Sequence, residues 1–223
     1  MESLRRCADA VLRHAGDRRV ELIVVDNGST DGTADWLDEL SRRDLRVRAV
    51  RCDHNIGMGA ARNCGLRSAR GKYVVLVDTS VEFTGDVLSS LARALDEPST
   101  GIAGAFGVRS DNLRDFEDAA PLEVDAVEGY LMAVRRDRVR EVGLMDEKYR
   151  FYRHLDLDYS FAFRDKGYRN RIVPGLPVRR HPHTYWERTP PDERDRLSKR
   201  NFYRFLHKYG DRTDLLVGNR GEG

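Results

Sequence analysis

Three aspartates occupy positions where a cleft between secondary-structure elements would form. Asp26 ends the apolar run 20–25, Asp78 ends the run 72–77, and Asp156 begins a stretch with helical spacing. Carboxylates grouped in one cleft can bind a divalent cation, accept hydrogen bonds from hydroxyl groups, or remove a proton from a hydroxyl. A single aspartate after a strand more often caps a helix or tightens a turn. Three of them with compatible flanking segments favour a functional cleft.

These acids require a scaffold of alternating strands and helices. The β-branched and aliphatic run 20–25 is typical of a parallel strand covered on both faces, and the polar loop after it leads into a helix from residue 33. Ligands of open α/β sheets lie at the carboxyl ends of such strands. The polar and acidic segment 110–121 predicts a mobile loop. Further strands are predicted at 46–52, 72–77, 101–108, 124–127, 130–134 and 171–173, and helices at 60–69, 86–96, 136–142, 156–166 and 191–209.

Length and composition limit the class of protein. The 223 residues suffice for one substantial α/β domain. Lysine and arginine number 39 and aspartate and glutamate 37, so the net charge of +2 excludes a generalised nucleic-acid binder. The three cysteines, Cys7, Cys52 and Cys64, have no CxxC spacing and indicate free thiols in a reducing compartment. Without an apolar run of membrane-spanning length or a signal peptide, we expect a soluble, cytoplasmic protein.

The segments around the three acids resemble glycosyltransferase family 2. The resemblance rests on residues 20–33 (VELIVVDNGSTDGT), 55–80 (NIGMGAARNCGLRSARGKYVVLVDTS), 143–147 (GLMDE) and 155–169 (LDLDYSFAFRDKGYR), in an order and spacing that match the family. It implies a GT-A fold, which is an α/β fold with a Rossmann-like, mostly parallel sheet flanked by helices, and it points to a rhamnosyltransferase-like branch. A GT-A-like domain is then expected over residues 1–189, and a C-terminal appendage of a basic helix and a frayed tail over 190–223.

The resemblance also implies an activity and the residues that perform it. The expected reaction is inverting transfer of a sugar from a nucleotide-sugar donor to an acceptor hydroxyl of a glycan, a lipid-linked molecule or a small molecule. Asp156 matches the general base, with simple N-capping as its alternative. Asp26, Arg62 and Gly129 match positions that contact the donor, although Arg62 could equally be a solvated helical arginine and Gly129 a hairpin turn.

A metal site is implied as well, in a weakened form. Asp78 matches the first acid of the family's DxD motif, which helps to hold Mn or Mg against the diphosphate. The family often supplies a histidine to the metal after the last strand, and this is His181 or His183 here, with spacing in favour of His181. Surface exposure is the alternative for both histidines. The second acid of the motif is Ser80 here, and the acid that commonly precedes the base is Leu155. The cation is therefore expected to be weakly held or dispensable.

The sequence begins at the family's first helix, so the strand that normally precedes it is absent. That strand is central in the sheet, and buried backbone groups without partners cost about 1 kcal/mol or more each. Direct pairing of the neighbouring strands, a strand of a partner chain, or the run 215–217 could close the gap, or the sequence begins too late to include the strand. We therefore expect an altered nucleotide pocket and a tendency to form homo-oligomers.

Some features of the sequence are also typical of other classes of protein. Residues 57–62 suggest a dinucleotide fingerprint, but the third glycine is missing, and a nucleotidyltransferase would have a glycine-rich basic loop at its first strand. A degenerate relative that binds a ligand or a partner without catalysis is the stronger alternative. The basic and aromatic helix 191–209 either packs its aromatic side on the domain or rests at the inner face of an anionic membrane as a peripheral contact.

Overall fold

The structure is a computed structural model that describes residues 1–119 and 121–219. Strands and helices alternate along most of the chain, as the sequence predicts. The helices are α1 (Glu2–Arg13), α2 (Thr33–Arg43), α3 (Met58–Ser68), α4 (Val87–Asp96), α5 (Arg136–Val142), α6 (Leu155–Asp165), α7 (Thr184–Arg188) and α8 (Pro191–Tyr209). The strands are β1 (Leu22–Asp26), β2 (Val47–Arg51), β3 (Tyr73–Val77), β4 (Val81–Phe83), β5 (Thr100–Gly104), β6 (Gly107–Arg109), β7 (Glu117–Asp118), β8 (Glu123–Val124), β9 (Ala126–Val127), β10 (Leu131–Arg135), β11 (Arg169–Ile172) and β12 (Val178–Arg180).

The central sheet has the strand order β3-β10-β5-β11-β8. Strands β3, β5 and β11 run in one direction, whereas β10 and β8 run in the other. β1 and β2 form a separate parallel pair. Two smaller sheets, β4 with β12 and β6 between β7 and β9, lie beyond the end of the central sheet. Because most core strands share a direction and helices flank them, the predicted α/β architecture is confirmed.

Helices bury apolar side chains against both faces of the central sheet. Leu66 of α3, Val139 of α5 and Phe163 of α6 belong to a buried cluster on one face. Val11 of α1 and Leu91 of α4 belong to a cluster on the other face. Apolar area removed from water contributes about 25 cal/mol per Å², so these two layers hold the carboxyl ends of the strands in fixed positions.

The sheet is interrupted between β1 and β3, where the resemblance predicts a missing strand. Among residues 1–119 and 121–219 no ladder joins the two strands. Leu22 N donates to Arg46 O, just before β2, and Asp78 N donates to Tyr130 O, just before β10. Alternation along each strand therefore turns the intervening backbone groups towards the gap. The groups that face it belong to Ile23, Val25, Val75 and Val77.

Two of the three expected ways of closing this gap are wrong. The neighbouring strands do not pair directly. The run 215–217 contributes to two 3-10 turns, and Leu215 accepts a hydrogen bond from Arg164, far from β1. The backbone groups are therefore left open to another strand, and a strand from a partner chain stays a prediction.

The C-terminal helix α8 packs its aromatic side on the domain. The Phe205 ring is buried 5.1 Å from the Phe161 ring, and the Asn201 amide donates to the carbonyl oxygens of Phe151 and Arg153 at 2.8 Å each. This matches the first of the two interpretations of the basic helix. The predicted frayed tail begins instead with a 3-10 turn over residues 217–219. The rest of that tail, residues 220–223, lies outside the described part of the chain.

None of the helices in the described ranges is long and apolar enough to cross a bilayer. Cys7, Cys52 and Cys64 are all free thiols. Cys7 is buried, and this burial raises the pKa of its thiol to about 12.

Candidate active site

A cavity of about 370 Å³ opens at the carboxyl ends of β3 and β9. Asp78, Asp156, Arg62 and Gly129 all line it, so four residues far apart in sequence meet in one place. Each comes from a different element: the end of β3, the start of α6, the first turns of α3 and the turn between β9 and β10. The remaining wall comes from the loop 110–116, the segment before α6, and α8.

Asp78 is held as an ionised carboxylate. Its Oδ1 accepts hydrogen bonds from Ser80 N at 2.8 Å and Ser80 Oγ at 2.6 Å, and its Oδ2 lies 3.3 Å from His183 Nε2. Burial opposes ionisation, but the hydrogen bonds from His183 and Ser80 outweigh it and lower the pKa of Asp78 to about 2. The hydroxyl that replaces the second acid of the motif therefore orients the first acid and is not itself directed at a ligand.

The histidine beside Asp78 is His183, whereas spacing favours His181. His181 Nε2 lies 2.7 Å from Glu82 Oε2, on the β4–β12 pair and away from the cavity lining. The His183 ring stacks on Tyr152, with ring centroids 4.4 Å apart, and lines the cavity. His183 also caps the short helix α7, because its side chain accepts a hydrogen bond from Trp186 N, and this fixes the orientation of the ring.

The donor set offers a divalent cation only a weak hold. Asp78 Oδ2 and His183 Nε2 face each other, and the described residues contain no group of three or more metal-ligating side chains. His183 Nδ1 accepts a hydrogen bond from Trp186 N at 3.1 Å, so the neutral ring has its proton on Nε2. His183 can ligate a cation only if that cap is broken, which leaves Asp78 as the principal protein ligand.

Asp156 is positioned by the turn between β9 and β10. Its Oδ2 accepts a hydrogen bond from Gly129 N at 2.9 Å, and its Oδ1 accepts one from Leu157 N at 3.1 Å. It lies in the first turn of α6, where the helix dipole favours a carboxylate. Each oxygen has a further lone pair available for a hydroxyl in the cavity.

Gly129 permits the close approach of two functional side chains. A Cβ at this position would lie 3.2 Å from Arg62 Nη1 and 3.3 Å from Asp156 Cβ. Arg62 Nη2 donates to Gly129 O at 2.7 Å, so the same turn holds both the guanidinium and the carboxylate. Burial lowers the pKa of Arg62, while the charges of Asp78 and Asp156 oppose that effect.

Asp158 takes no part in the cavity. Its Oδ1 lies 2.7 Å from Lys208 Nζ and accepts a hydrogen bond from the Tyr149 hydroxyl at 3.1 Å. Residues two apart on a helix point in different directions, so Asp156 faces the cavity and Asp158 faces Lys208 and Tyr149.

Asp26 lies at the end of β1 and is not part of the cavity wall. The residue is 6 % exposed, and its Oδ1 accepts a hydrogen bond from Ser29 N at 2.9 Å. Asn27 Oδ1 accepts from Ile56 N, which ties the loop after β1 to the loop after β2. The structure thus places Asp26 on the N-terminal side of the cleft and the other predicted site residues around the cavity.

Sequence reasoning missed several residues of the cavity wall. His154, at the N-terminal cap of α6, has φ 65° and a buried Nδ1 atom without a hydrogen-bond partner in the described residues. Burial lowers its pKa to about 4. Burial also raises the pKa of Glu128, which lies 3.6 Å from Arg180. Arg114 and Phe116 come from the segment predicted to be a mobile loop, which Leu113 anchors by full burial.

The sequence matches the family model of glycosyl transferase family 2 over residues 2–156, which is more than half of the chain. The chain belongs to glycosyl transferase family 2. Relatives include glycosyltransferase GlyA of Streptococcus pneumoniae, 33% identical over 100 residues, and the succinoglycan biosynthesis protein ExoO of Rhizobium meliloti, 31% identical over 102 residues. These matches cover 45% and 46% of this chain but 14% and 28% of the relatives, so the chain spans only part of their length.

Solved glycosyltransferases share the GT-A fold of this family 2 chain. GalNAc-T7, crystallised with UDP, GalNAc and Mn²⁺, has a TM-score of 0.79 at 17% identity and covers 95% of this chain and 47% of its own. The mannosyltransferase PcManGT of Pyrobaculum calidifontis, in complex with GDP-Man and Mn²⁺, has a TM-score of 0.66 at 19% identity. The match covers 98% of this chain and 67% of the mannosyltransferase chain. The GT-A fold is confirmed, while the rhamnosyltransferase-like branch stays a prediction.

Proposed function

We propose that this chain transfers a sugar from a nucleoside diphosphate donor to an acceptor hydroxyl with inversion, and that Asp156 is the general base. The observation that supports this most is the meeting of Asp156, Asp78 and Arg62 in one cavity at the carboxyl ends of the strands. A base, an acid for a cation, and a guanidinium near both are the groups that a displacement at an anomeric carbon needs.

The reaction follows from the position of Asp156. A carboxylate oxygen accepts the acceptor's hydroxyl proton while the hydroxyl oxygen forms a bond to the anomeric carbon from the face opposite the leaving group. The bond from that carbon to the diphosphate oxygen breaks, and the nucleoside diphosphate departs with the electron pair. One displacement gives inversion.

The donor would lie between β1 and Asp78. Asp26 would accept hydrogen bonds from the base or the ribose, and the Arg62 N–H groups not used by Gly129 would donate to the diphosphate or the sugar. The solved relatives contain UDP or GDP-Man, which makes uridine and guanosine diphosphate sugars the first donors to try.

A divalent cation would be held by Asp78 and by the diphosphate itself. When bound, it supplies Lewis-acid stabilisation of the leaving diphosphate. Mn²⁺ accompanies two of the solved relatives, whereas the pair Asp78 and His183 accounts for a weak requirement here.

The second candidate is a family member that binds a nucleotide or a partner without catalysis. One observation favours it: Ser80 turns back on Asp78 rather than supplying a second acid. This would weaken cation binding, and it leaves the base in place.

Calorimetric titration with UDP, GDP and dTDP, each with and without Mn²⁺, tests the proposal. We expect one nucleotide to bind saturably and to bind more tightly with Mn²⁺. Release of that nucleotide from its sugar conjugates then separates the two candidates, because a binder without catalysis would hold the nucleotide and release nothing. Failure of all three nucleotides to bind would contradict the transferase.

A further inference from the structure

We propose that the acceptor has an acidic group, a carboxylate or a phosphate, that binds to Arg114, Arg153 and Lys199 at the rim of the cavity. This inference rests on the proposed function, because it assigns the acceptor half of that same cavity.

The three cations converge on the cavity from separate parts of the fold. Arg114 comes from the loop after β6, Arg153 from the segment before α6, and Lys199 from α8. All three are exposed. Within residues 1–119 and 121–219 none of them has a carboxylate within 4.0 Å, although many other cations of the chain are paired. Asp118 also lines the exposed rim, so the rim has three cations and one carboxylate and its positive charge is in excess.

The position of these cations separates them from the donor. Apart from Arg62 and Asp78, the whole cavity lining comes from residues 108–202. The nucleotide end of the proposed donor site lies on the other side, at Asp26 and the carboxyl end of β1. We therefore assign a ligand at the rim cations to the side of Asp156 away from the nucleotide, which is where an acceptor must be to attack from the opposite face.

The acidic interior of the cavity repels an anion, whereas the basic rim attracts it. Asp78, Glu128 and Asp156 line the interior, where negative charge repels an acidic group. An acceptor with one acidic group is consequently oriented, with the acid at the rim and a hydroxyl towards Asp156. Guanidinium groups match the geometry of carboxylate and phosphate oxygens through paired N–H donors.

Aromatic and polar groups beside the cations suit a sugar ring. Phe116 and Phe202 line the same part of the cavity and offer apolar surface to the C–H face of a sugar. The His154 ring lies 5.1 Å from Phe202 and lines the same cavity. Arg153 is held by the Trp186 ring, 5.5 Å from its centroid.

The test compares matched sugars by NMR titration of the full chain, with and without the nucleotide found by calorimetry. Methyl β-glucuronide and glucose 1-phosphate supply the two acidic groups, and methyl β-glucoside is their neutral counterpart. The variants are R114Q/K199Q and, as a control, Arg200→Gln, which removes an exposed cation from α8 outside the cavity lining. Nucleotide binding is measured for each variant.

We expect at least one acidic sugar to bind at least tenfold more tightly than the neutral sugar, with a preference that weakens as salt is raised. R114Q/K199Q should lose this preference and keep its nucleotide affinity, and R200Q should keep both. Equal binding of acidic and neutral sugars, no binding of either, or an unchanged preference in R114Q/K199Q would overturn the inference. Loss of nucleotide affinity in R114Q/K199Q would assign the cations to the donor instead. Acidic sugar binding in a chain that binds no nucleotide would contradict the proposed function but not the acidic subsite.

Discussion

At the scale of single residues, the site depends on how Asp78 is kept ionised in a buried position. Burial alone would raise its pKa, and the bonds from His183 and Ser80 reverse the sign. The loss of the second acid of the motif is thus partly offset, because Ser80 fixes the remaining carboxylate. An ionised carboxylate in a fixed orientation suits the binding of a cation by a transferase, whereas a protein without catalysis would not need it.

The lowered pKa of Asp78 predicts a specific dependence of stability on pH. Its folded pKa of about 2 lies below the ordinary 3.8, so the stabilisation is present above pH 4 and is lost as pH falls towards 2. The difference corresponds to about 2 kcal/mol. In His183→Ala, burial should dominate and the pKa of Asp78 should rise, which moves the loss to higher pH. Urea unfolding between pH 2.5 and 6 measures both; identical pH profiles for the two proteins would contradict this account.

The two acids at the start of α6 should behave differently when each is replaced by its amide. Asp156→Asn should lower turnover by about a hundredfold or more, because the base is lost, while nucleotide affinity is retained. An amide can accept only one of the two backbone hydrogen bonds that the carboxylate accepts from Gly129 N and Leu157 N, so a modest fall in Tm should accompany the loss of turnover. Asp158→Asn should keep turnover and lose about 2 kcal/mol of stability, or about 4–8 °C in Tm, because Lys208 loses one of its two carboxylate partners and keeps only Asp146. Nucleotide release and differential scanning calorimetry measure the pair. Substantial activity in D156N would remove Asp156 from its role.

At the scale of elements, the turn between β9 and β10 joins the base to the guanidinium. Gly129 N donates to Asp156 and Gly129 O accepts from Arg62, and a Cβ at this position would crowd both side chains. The precision of the site therefore depends on a short turn held by two strands of separate sheets, rather than on α6 alone.

Gly129→Ala should separate function from folding. The added Cβ would lie 3.2 Å from the Arg62 guanidinium, which must move by a few tenths of an ångström. A misplacement of about 1 Å near the reacting atoms can reduce the rate by about a hundredfold, so a shift of a few tenths of an ångström should cost less. We expect a several-fold fall in turnover and a small change in Tm. As a control, Gly175→Ala adds a Cβ with no atom within 4 Å, at φ +68°, and should affect stability without affecting turnover.

At the scale of the whole molecule, we expect the open edges of β1 and β3 to be the least stable part of the sheet, because no ladder joins them in the described residues. The amides of Ile23, Val25, Val75 and Val77 have no ladder partner in the described residues. The amides of β5 and β10, by contrast, lie between paired strands. The expected homo-oligomer and the peripheral membrane contact of α8 stay predictions, and the exposed Tyr203 is where such a contact would begin.

Hydrogen exchange measures the state of this gap directly. In the isolated chain we expect the four gap-facing amides to exchange far faster than those of β5, because they lack hydrogen-bonded partners. Light scattering on the same sample gives the mass. Strong protection of these amides in a monomer would contradict the gap, whereas protection in a dimer would indicate that a partner chain supplies the strand.

The sequence by itself determined the α/β order of elements, the family, and the four residues Asp78, Asp156, Arg62 and Gly129 that meet in the cavity. Those inferences depend on local patterns: β-branched runs, acids at the ends of strands, and the bounds of α8, which agree with prediction. Only the tertiary structure decided that His183 rather than His181 faces Asp78, that Ser80 orients the carboxylate, and that Arg114, Arg153 and Lys199 meet at one rim. Each of these depends on which way a side chain points across elements that are distant in sequence, and that direction is set by packing rather than by spacing.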